Sequence, residues 1–289
     1  MNDAVIFEQG RFGTRAVLNR PWCSSFLPLL QEKEIAELEL NDGKGWHGES
    51  IEFIRKFPNL KALDIIDFRI QSVEPVHDLN QLRTLTILTY CKTRLQFSNF
   101  PFLEECSLEW RQGAESLFDS VQLKELFVNR YKGRDLRSFS KLHNLVSLIL
   151  LGASIASLAG IEALTKLNRL RLGDLRRLQS LTGIENLTAL ERLNVGTCRK
   201  IGGIDQVARL SNLREFFLNN DGPIASLKPL DSISGLETVT FSESTNVLDG
   251  DLSPLARQPH LSRVSFQNRR HYSHRREDFW QYAGIMSRT

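Results

Sequence analysis

The densest run of chemically capable side chains in this sequence lies near its C-terminus, in Arg269-Arg270-His271-Tyr272-Ser273-His274-Arg275-Arg276. Its arginines offer guanidinium forks to phosphates or carboxylates. His271 and His274 could ligate a metal, but such a site needs a third ligand, and none stands at a recognisable spacing. A solvated cap with its charges outward accounts for the same residues. Asn41-Asp42-Gly43-Lys44-Gly45 combines two glycines with a lysine, as phosphate-cradling loops do. It lacks the G-x-x-x-x-G-K-[ST] spacing and opens no helix, so it reads as the turn leaving a strand. The sequence has no G-x-S-x-G, H-E-x-x-H, C-x-x-C or calcium-loop motif. His47, His77 and His143 have no evident partner. Cys23, Cys91, Cys106 and Cys198 are scattered, with neither a disulfide nor a zinc spacing. Catalysis, cofactors and metals are therefore not expected, and the chemistry left is that of a binding surface.

What must position that surface is an L-x-x-L-x-L pattern that returns along most of the chain. It opens with Ile35-Leu38-Leu40 and continues as Leu60-Leu63-Ile65, Leu82-Leu85-Ile87, Leu103-Cys106-Leu108, Leu123-Leu126-Val128 and Leu145-Leu148-Leu150. Leu167-Leu170-Leu172, Leu190-Leu193-Val195, Leu213-Phe216-Leu218, Leu236-Val239-Phe241 and Leu261-Val264-Phe266 complete it. Successive first positions are 25, 22, 21, 20, 22, 22, 23, 23, 23 and 25 residues apart. A period of this size marks a solenoid. Each pattern predicts a short strand whose second and last apolar residues face the core, while the residues between and beside them face outward. Cys106 holds one of the core positions and reads as a small buried hydrophobe. The return segments are apolar at every third residue, as in Ile155, Leu158, Ile161, Leu164 and Leu167. That period predicts turns of 3₁₀ type, whose side chains eclipse at i and i+3. Two returns look more helical: Ser50 as a cap before Ile51–Phe57, and Ser253-Pro254 before Leu255.

The ends differ from the middle. Ala4–Phe7 and Ala16–Leu18 flank Gly10 and Gly13, which predicts a hairpin covering the first repeat's open edge. Trp22, Phe26, Leu27 and Leu29 are expected to plug the core beside it. Beyond Phe266, Ser273 reads as a helix start and Gly284 as its stop, with Phe279, Trp280 and Tyr282 closing the last repeat. The expected organisation is a cap over 1–34, eleven repeats over 35–267, and a C-terminal cap helix and tail over 268–289.

Composition narrows the classes further. The net charge is +3 in 289 residues and 41% of residues are hydrophobic. That charge is small for a general nucleic-acid binder. It is unevenly spread: 19 Lys/Arg face 20 Asp/Glu through Leu145, and 18 face 14 after it. The N-terminus lacks the basic and apolar regions of a secretory signal. No apolar run reaches the ~18 residues of a membrane span. A reducing, cytoplasmic compartment is expected.

The repeat resembles the leucine-rich repeat family, and its period near 22 with I-x-x-L-x-x-I-x-x-L returns is similar to the internalin-like class. The resemblance covers roughly residues 35–267. It implies an α/β solenoid: a horseshoe with a parallel sheet on its concave side and 3₁₀ turns or short helices on its convex side. The family places an Asn three residues after the last apolar strand position, where it bonds the backbone between coils. Here that place holds Phe68, Tyr90, Arg111, Tyr131, Ala153, Leu175 and Cys198, so the ladder is expected to be mostly missing.

On that fold the outward strand residues form the binding face. Its acidic part includes Asp64, Glu105, Glu109 and Glu125, with Trp110 at the strand edge. Its basic part includes Arg169, Arg171 and Arg192, with Glu215 beside them. Apolar residues interleave: Ile66, Leu88, Phe127, Ile149, Leu151 and Phe217. These are the expected partner-binding residues, with apolar anchors and steering charges. The competing account is an ordinary surface, in which single apolar residues are common and Glu125 pairs with Arg169 about 10 Å away across two strands. The expected function is protein binding as an inhibitor, adaptor or scaffold. An immunity-type inhibitor of a toxin or enzyme is one form of it. Nucleic-acid or acidic-surface binding by the late arginines and the basic tail is the alternative.

Overall fold

The period of three in the returns has a direct hydrogen-bond basis. In the computed structural model, which describes residues 4–279, Ile161 N–H donates to Leu158 O, Leu164 N–H to Ile161 O and Leu167 N–H to Leu164 O, at 2.9 Å each. Every one of those side chains is buried. An α-helix advances about 100° per residue, so each three-residue step would rotate the stripe about 60° off the core. Turns of 3₁₀ type keep it on one face. The same logic corrects the helix expected after Ser50. Ile51, Ile54, Phe57 and Leu60 are all buried, and Glu52–Lys56 forms a 3₁₀ helix, not an α-helix. Ser253–Ala256 is α-helical, as expected.

The chain packs as two units, Met1–Val128 and Asn129–Thr289. In the first, β1 (Val5–Gln9) and β2 (Thr14–Leu18) form the antiparallel hairpin. A short helix α1 (Phe26–Glu32) follows. Then come β3 (Glu37–Asn41), β4 (Ala62–Ile66), β5 (Thr84–Leu88), β6 (Glu105–Glu109) and β7 (Glu125–Asn129). β2 adds to β3 in parallel, with Arg15 to Leu18 beside Glu37 to Leu40. Trp22 stacks on Phe53 at 4.0 Å and meets Phe26 edge-on. Leu30, not Leu29, is the buried plug: α1 turns Leu29 outward, leaving it 39% exposed.

The second unit carries β8 (Ser147–Leu151), β9 (Arg169–Gly173), β10 (Arg192–Gly196), β11 (Glu215–Asn219), β12 (Pro223–Ile224), β13 (Thr238–Ser242), β14 (Asn246–Val247), α2 (Ser253–Ala256) and β15 (Arg263–Ser265). Strands β8, β9, β10, β11, β13 and β15 run parallel in that order. β12 and β14 pair separately. Beneath the strands the apolar residues of the pattern, Leu148, Leu150, Leu170, Leu172, Leu193 and Val195 among them, are fully buried. Each contributes about 1.5–3 kcal/mol of hydrophobic stabilisation. The helix expected from Ser273 is a 3₁₀ turn at 276–279 among the described residues. Before it the chain adds one more coil-like layer: Ser273 N–H donates to Gly250 O, and Leu252 N–H to Ser273 Oγ. Phe279 is buried against Phe266. Trp280, Tyr282 and Gly284 lie outside the described residues.

The interior polar ladder exists in part, displaced by one residue in the second and third coils and at the expected place at Arg111, Cys198 and Asp221. In the second and third coils, Asp67 and Thr89 point inward, one residue before Phe68 and Tyr90. Asp67 accepts from the N–H groups of Arg69 and Gly48, and Thr89 accepts from the guanidinium of buried Arg111. In the second unit a left-handed residue follows most strands: Arg130, Gly152, Asp174, Thr197, Asn220 and Glu243 all have φ between 52° and 62°. That extra step returns the inward place to Tyr131, Ala153, Leu175, Cys198 and Asp221. Cys198 N–H donates to Asp221 Oδ1 at 2.7 Å, and Asp221 N–H to Thr245 Oγ1 at 3.0 Å.

Candidate partner-binding face

Strand alternation places every expected face residue of β4 to β11 on the side of the sheet away from the core, but the two units treat their charges differently. In the first unit the hairpin answers the acids. Arg15 reaches Glu39 at 2.6 Å, Asp64 at 2.8 Å and Glu37 at 3.4 Å. Lys44 reaches Glu39 at 2.8 Å. Burial alone would push the Glu39 carboxyl up, but hydrogen bonds from Arg15, Lys44 and Asn41 outweigh it and hold it below the usual range. Glu37 and Glu39 point outward from the strand yet are 3% exposed, because the hairpin lies over them. At its tip Phe12 N–H donates to Glu37 at 2.6 Å. Arg11 pairs with Glu105 and lies over the Phe12 ring, which Arg83 also approaches. Arg83 and Lys124 in turn hold Glu104.

Asp64 and Glu105 are thus half-buried in ion pairs with the chain's own arginines. Glu109, expected to face a partner, is buried at 8% exposure. Trp110 is half-buried and stacked on Phe118. Ile66 and Leu88 are neighbours in register, both half-buried. Beside them the rings of Phe68 and Tyr90 meet at 4.4 Å, tilted by 32°, and stand 50% and 56% exposed. Reading them as ladder positions hid this pair. Phe127 is half-buried and Glu125 exposed.

In the second unit the register gathers the expected residues into adjacent rows. One row runs Ile149, Arg171, Asn194, Phe217 and the next runs Arg169, Arg192, Glu215. Arg169, Arg171 and Arg192 are exposed, while Ile149, Leu151, Glu215 and Phe217 are half-buried. Arg192 bridges Glu215 at 2.6 Å and lies over the Phe217 ring at 5.4 Å. Leu151 leans across Gly173, where a β-carbon would come within 2.6 Å of it. At Gly196, next to Gly173, a β-carbon would meet Asn219 O at 3.6 Å, an ordinary van der Waals contact.

The basic C-terminal segment is engaged with the last coil. Arg269 donates to the carbonyls of Glu243 and Thr245, His271 bonds Val247 O at 2.9 Å, and Ser273 Oγ bonds His274 Nδ1 at 2.8 Å. Among the described residues no three His, Cys, Asp or Glu side chains converge as a metal site. No helix among them is long and apolar enough to cross a membrane. Asn41–Gly45 is a turn, with Asn41 Oδ1 accepting from Gly43 N–H.

Parallel five-residue strands, 3₁₀ returns and an inward ladder make up a leucine-rich repeat fold. Comparison with a solved structure agrees on the fold. A leucine-rich repeat protein from Leptospira interrogans superposes with a TM-score of 0.52 at 15% identity, covering 88% of this chain and 77% of that one. An internalin from Listeria monocytogenes gives 0.49 at 18% identity, over 77% of this chain and 80% of its own. No family model and no curated protein matches the sequence.

Proposed function

We propose that this chain is a non-catalytic protein-binding module that holds its partner on the outer face of its parallel sheet, as an inhibitor, adaptor or scaffold. One observation carries the reading. Exposed Arg169, Arg171 and Arg192 stand side by side on β9 and β10, flanked by half-exposed Ile149, Leu151 and Phe217. Adjacent like charges on neighbouring strands destabilise a sheet, and they are tolerated where a ligand uses them. The four unpaired thiols fit the reducing compartment of this reading. The Arg269 and His271 contacts to the last coil favour a capping role for the basic segment over nucleic-acid contact.

The test is affinity capture from native lysate with wild type beside a Phe127→Ala, Arg171→Glu, Phe217→Ala variant, both first shown to be folded. Proteins recovered only with wild type are expected. Equal recovery with both would move the binding site off this face.

A further inference from the structure

We infer that a second copy of this chain docks on the exposed rings of Phe68 and Tyr90, in a two-fold dimer closed by Glu49 of each copy against Lys92 and Arg94 of the other. The first observation is what these coils give up. Phe68 and Tyr90 stand two residues beyond β4 and β5, their rings 4.4 Å apart and each at least half exposed. At the inward place of these two coils sit Asp67 and Thr89, both buried. Later coils do the opposite: Tyr131, Ala153, Leu175 and Cys198 turn inward and are buried. The second and third coils thus forgo the burial of two aromatic rings and desolvate a carboxylate and a hydroxyl in their place. Half-buried Ile66 and Leu88, paired in register, continue the apolar surface onto the sheet. Apolar residues gathered into one exposed patch, at a cost in stability, mark a surface that another molecule covers.

What covers it follows from the charges on either flank. On the side of the first coil stands Glu49, exposed, with its carbonyl accepting from Gln71 N–H at 3.1 Å. On the side of the fourth coil stands Arg94, exposed, with its stem over Gly113. Lys92 is exposed between Cys91, which meets the Arg111 guanidinium, and Thr93, which accepts from Val73 N–H. Among the described residues, the side chains of Glu49, Lys92 and Arg94 make no hydrogen bond and no ion pair. Asp42 and Arg69, by contrast, hold each other. A uniformly acidic or basic partner would gain on one flank and lose on the other, whereas a second copy gains on both. A two-fold axis lying in the interface between Phe68 and Tyr90 sets each Phe68 on the other copy's Tyr90, and each Glu49 on the other copy's Lys92 and Arg94. Such a contact closes on itself, with apolar rings inside and opposite charges at the rim.

Sedimentation velocity of the intact 289-residue chain across a concentration series tests this. Circular dichroism melts confirm that each variant folds. Wild type should pass from the single-chain mass of 33.0 kDa toward twice that as concentration rises. A variant with Phe68→Ser and Tyr90→Ser should remain a single chain. Glu49→Lys in one variant, and Lys92→Glu with Arg94→Glu in another, each set like charges together and should weaken the dimer about tenfold or more. Mixed in equal amounts, these two charge variants should dimerise again, because every rim contact then joins opposite signs. A weakened fold could not produce that recovery. Wild type that stays a single chain at every concentration overturns the proposal and leaves the rings to a different protein. So does a dimer that survives loss of both rings, or a mixture no more associated than its components.

Discussion

Asp221 is a carboxylic acid in surroundings that disfavour its charged form. Its side chain is fully buried, and desolvation raises its carboxyl from 3.8 to about 6 despite hydrogen bonds from the backbone of Cys198 and Asn219. Between those two values the folded chain holds a proton that the unfolded chain has released. This group's stabilising effect is therefore complete below the lower value and fades as pH rises through the higher one, a loss of about 3 kcal/mol. Asp221→Asn keeps an acceptor for Cys198 N–H and removes the titration. Urea unfolding should find the variant about 2–3 kcal/mol more stable than wild type at pH 7, with the advantage gone near pH 4. An advantage that does not change with pH would show that Asp221 stays ionised in the fold. Asp221 stands three residues after Leu218, the place where the family sets its ladder Asn, so the repeat pattern itself points it inward. Arg15 carries no such mark, because ion pairs such as Arg15–Asp64 join residues 49 positions apart and leave no periodic trace.

At the scale of the coil, the left-handed residue after the strands of the second unit decides which side chain turns inward. Thr197 occupies it at φ 58°, a conformation that β-branched residues adopt only under strain. Thr197→Gly should stabilise the protein by roughly 1 kcal/mol, read as a rise in melting temperature. Gly160→Ala should do the reverse, since its φ is 105° and a β-carbon would run into the Leu136 carbonyl and Arg137 N. A neutral or destabilising Thr197→Gly would mean that its hydroxyl, which Asn220 Nδ2 approaches at 3.4 Å, outweighs the strain. Strands and returns were legible in the sequence because burial repeats with the period of each element. The one-residue shift that turns Asp67 and Thr89 inward was not. Ile66 and Leu88 end their strands with apolar residues, so the pattern looks unbroken while the backbone after it takes a different turn. Leu29 and Leu30 were indistinguishable for a like reason: without the helix phase of α1, adjacent leucines have equal claim to the core. On the face, the rows of arginines and apolar residues followed from alternation alone, whereas the pairing of the first unit's acids depended on the hairpin.

At the scale of the molecule, backbone pairing within each unit is local: strands pair with their neighbours and returns pack on the next, while the hairpin's ion pairs reach further. Stability in such arrays is a sum of coil and interface terms, so opening should begin where a coil has one neighbour. Amide hydrogen exchange should be faster in β15, a terminal strand of three residues, than in β9 and β10. Equal protection of these strands would indicate a single cooperative unfolding unit. Locality does not make the coils interchangeable, however. Cys198 donates to a carboxylate in the following coil, and Asp221 donates to a hydroxyl in the one after that. Each rung is addressed to a particular successor. Excising, duplicating or shuffling a coil between Cys198 and Thr245 would leave a buried carboxylate facing the wrong neighbour, so this stretch has a fixed reading order that its repetitive pattern of leucines conceals.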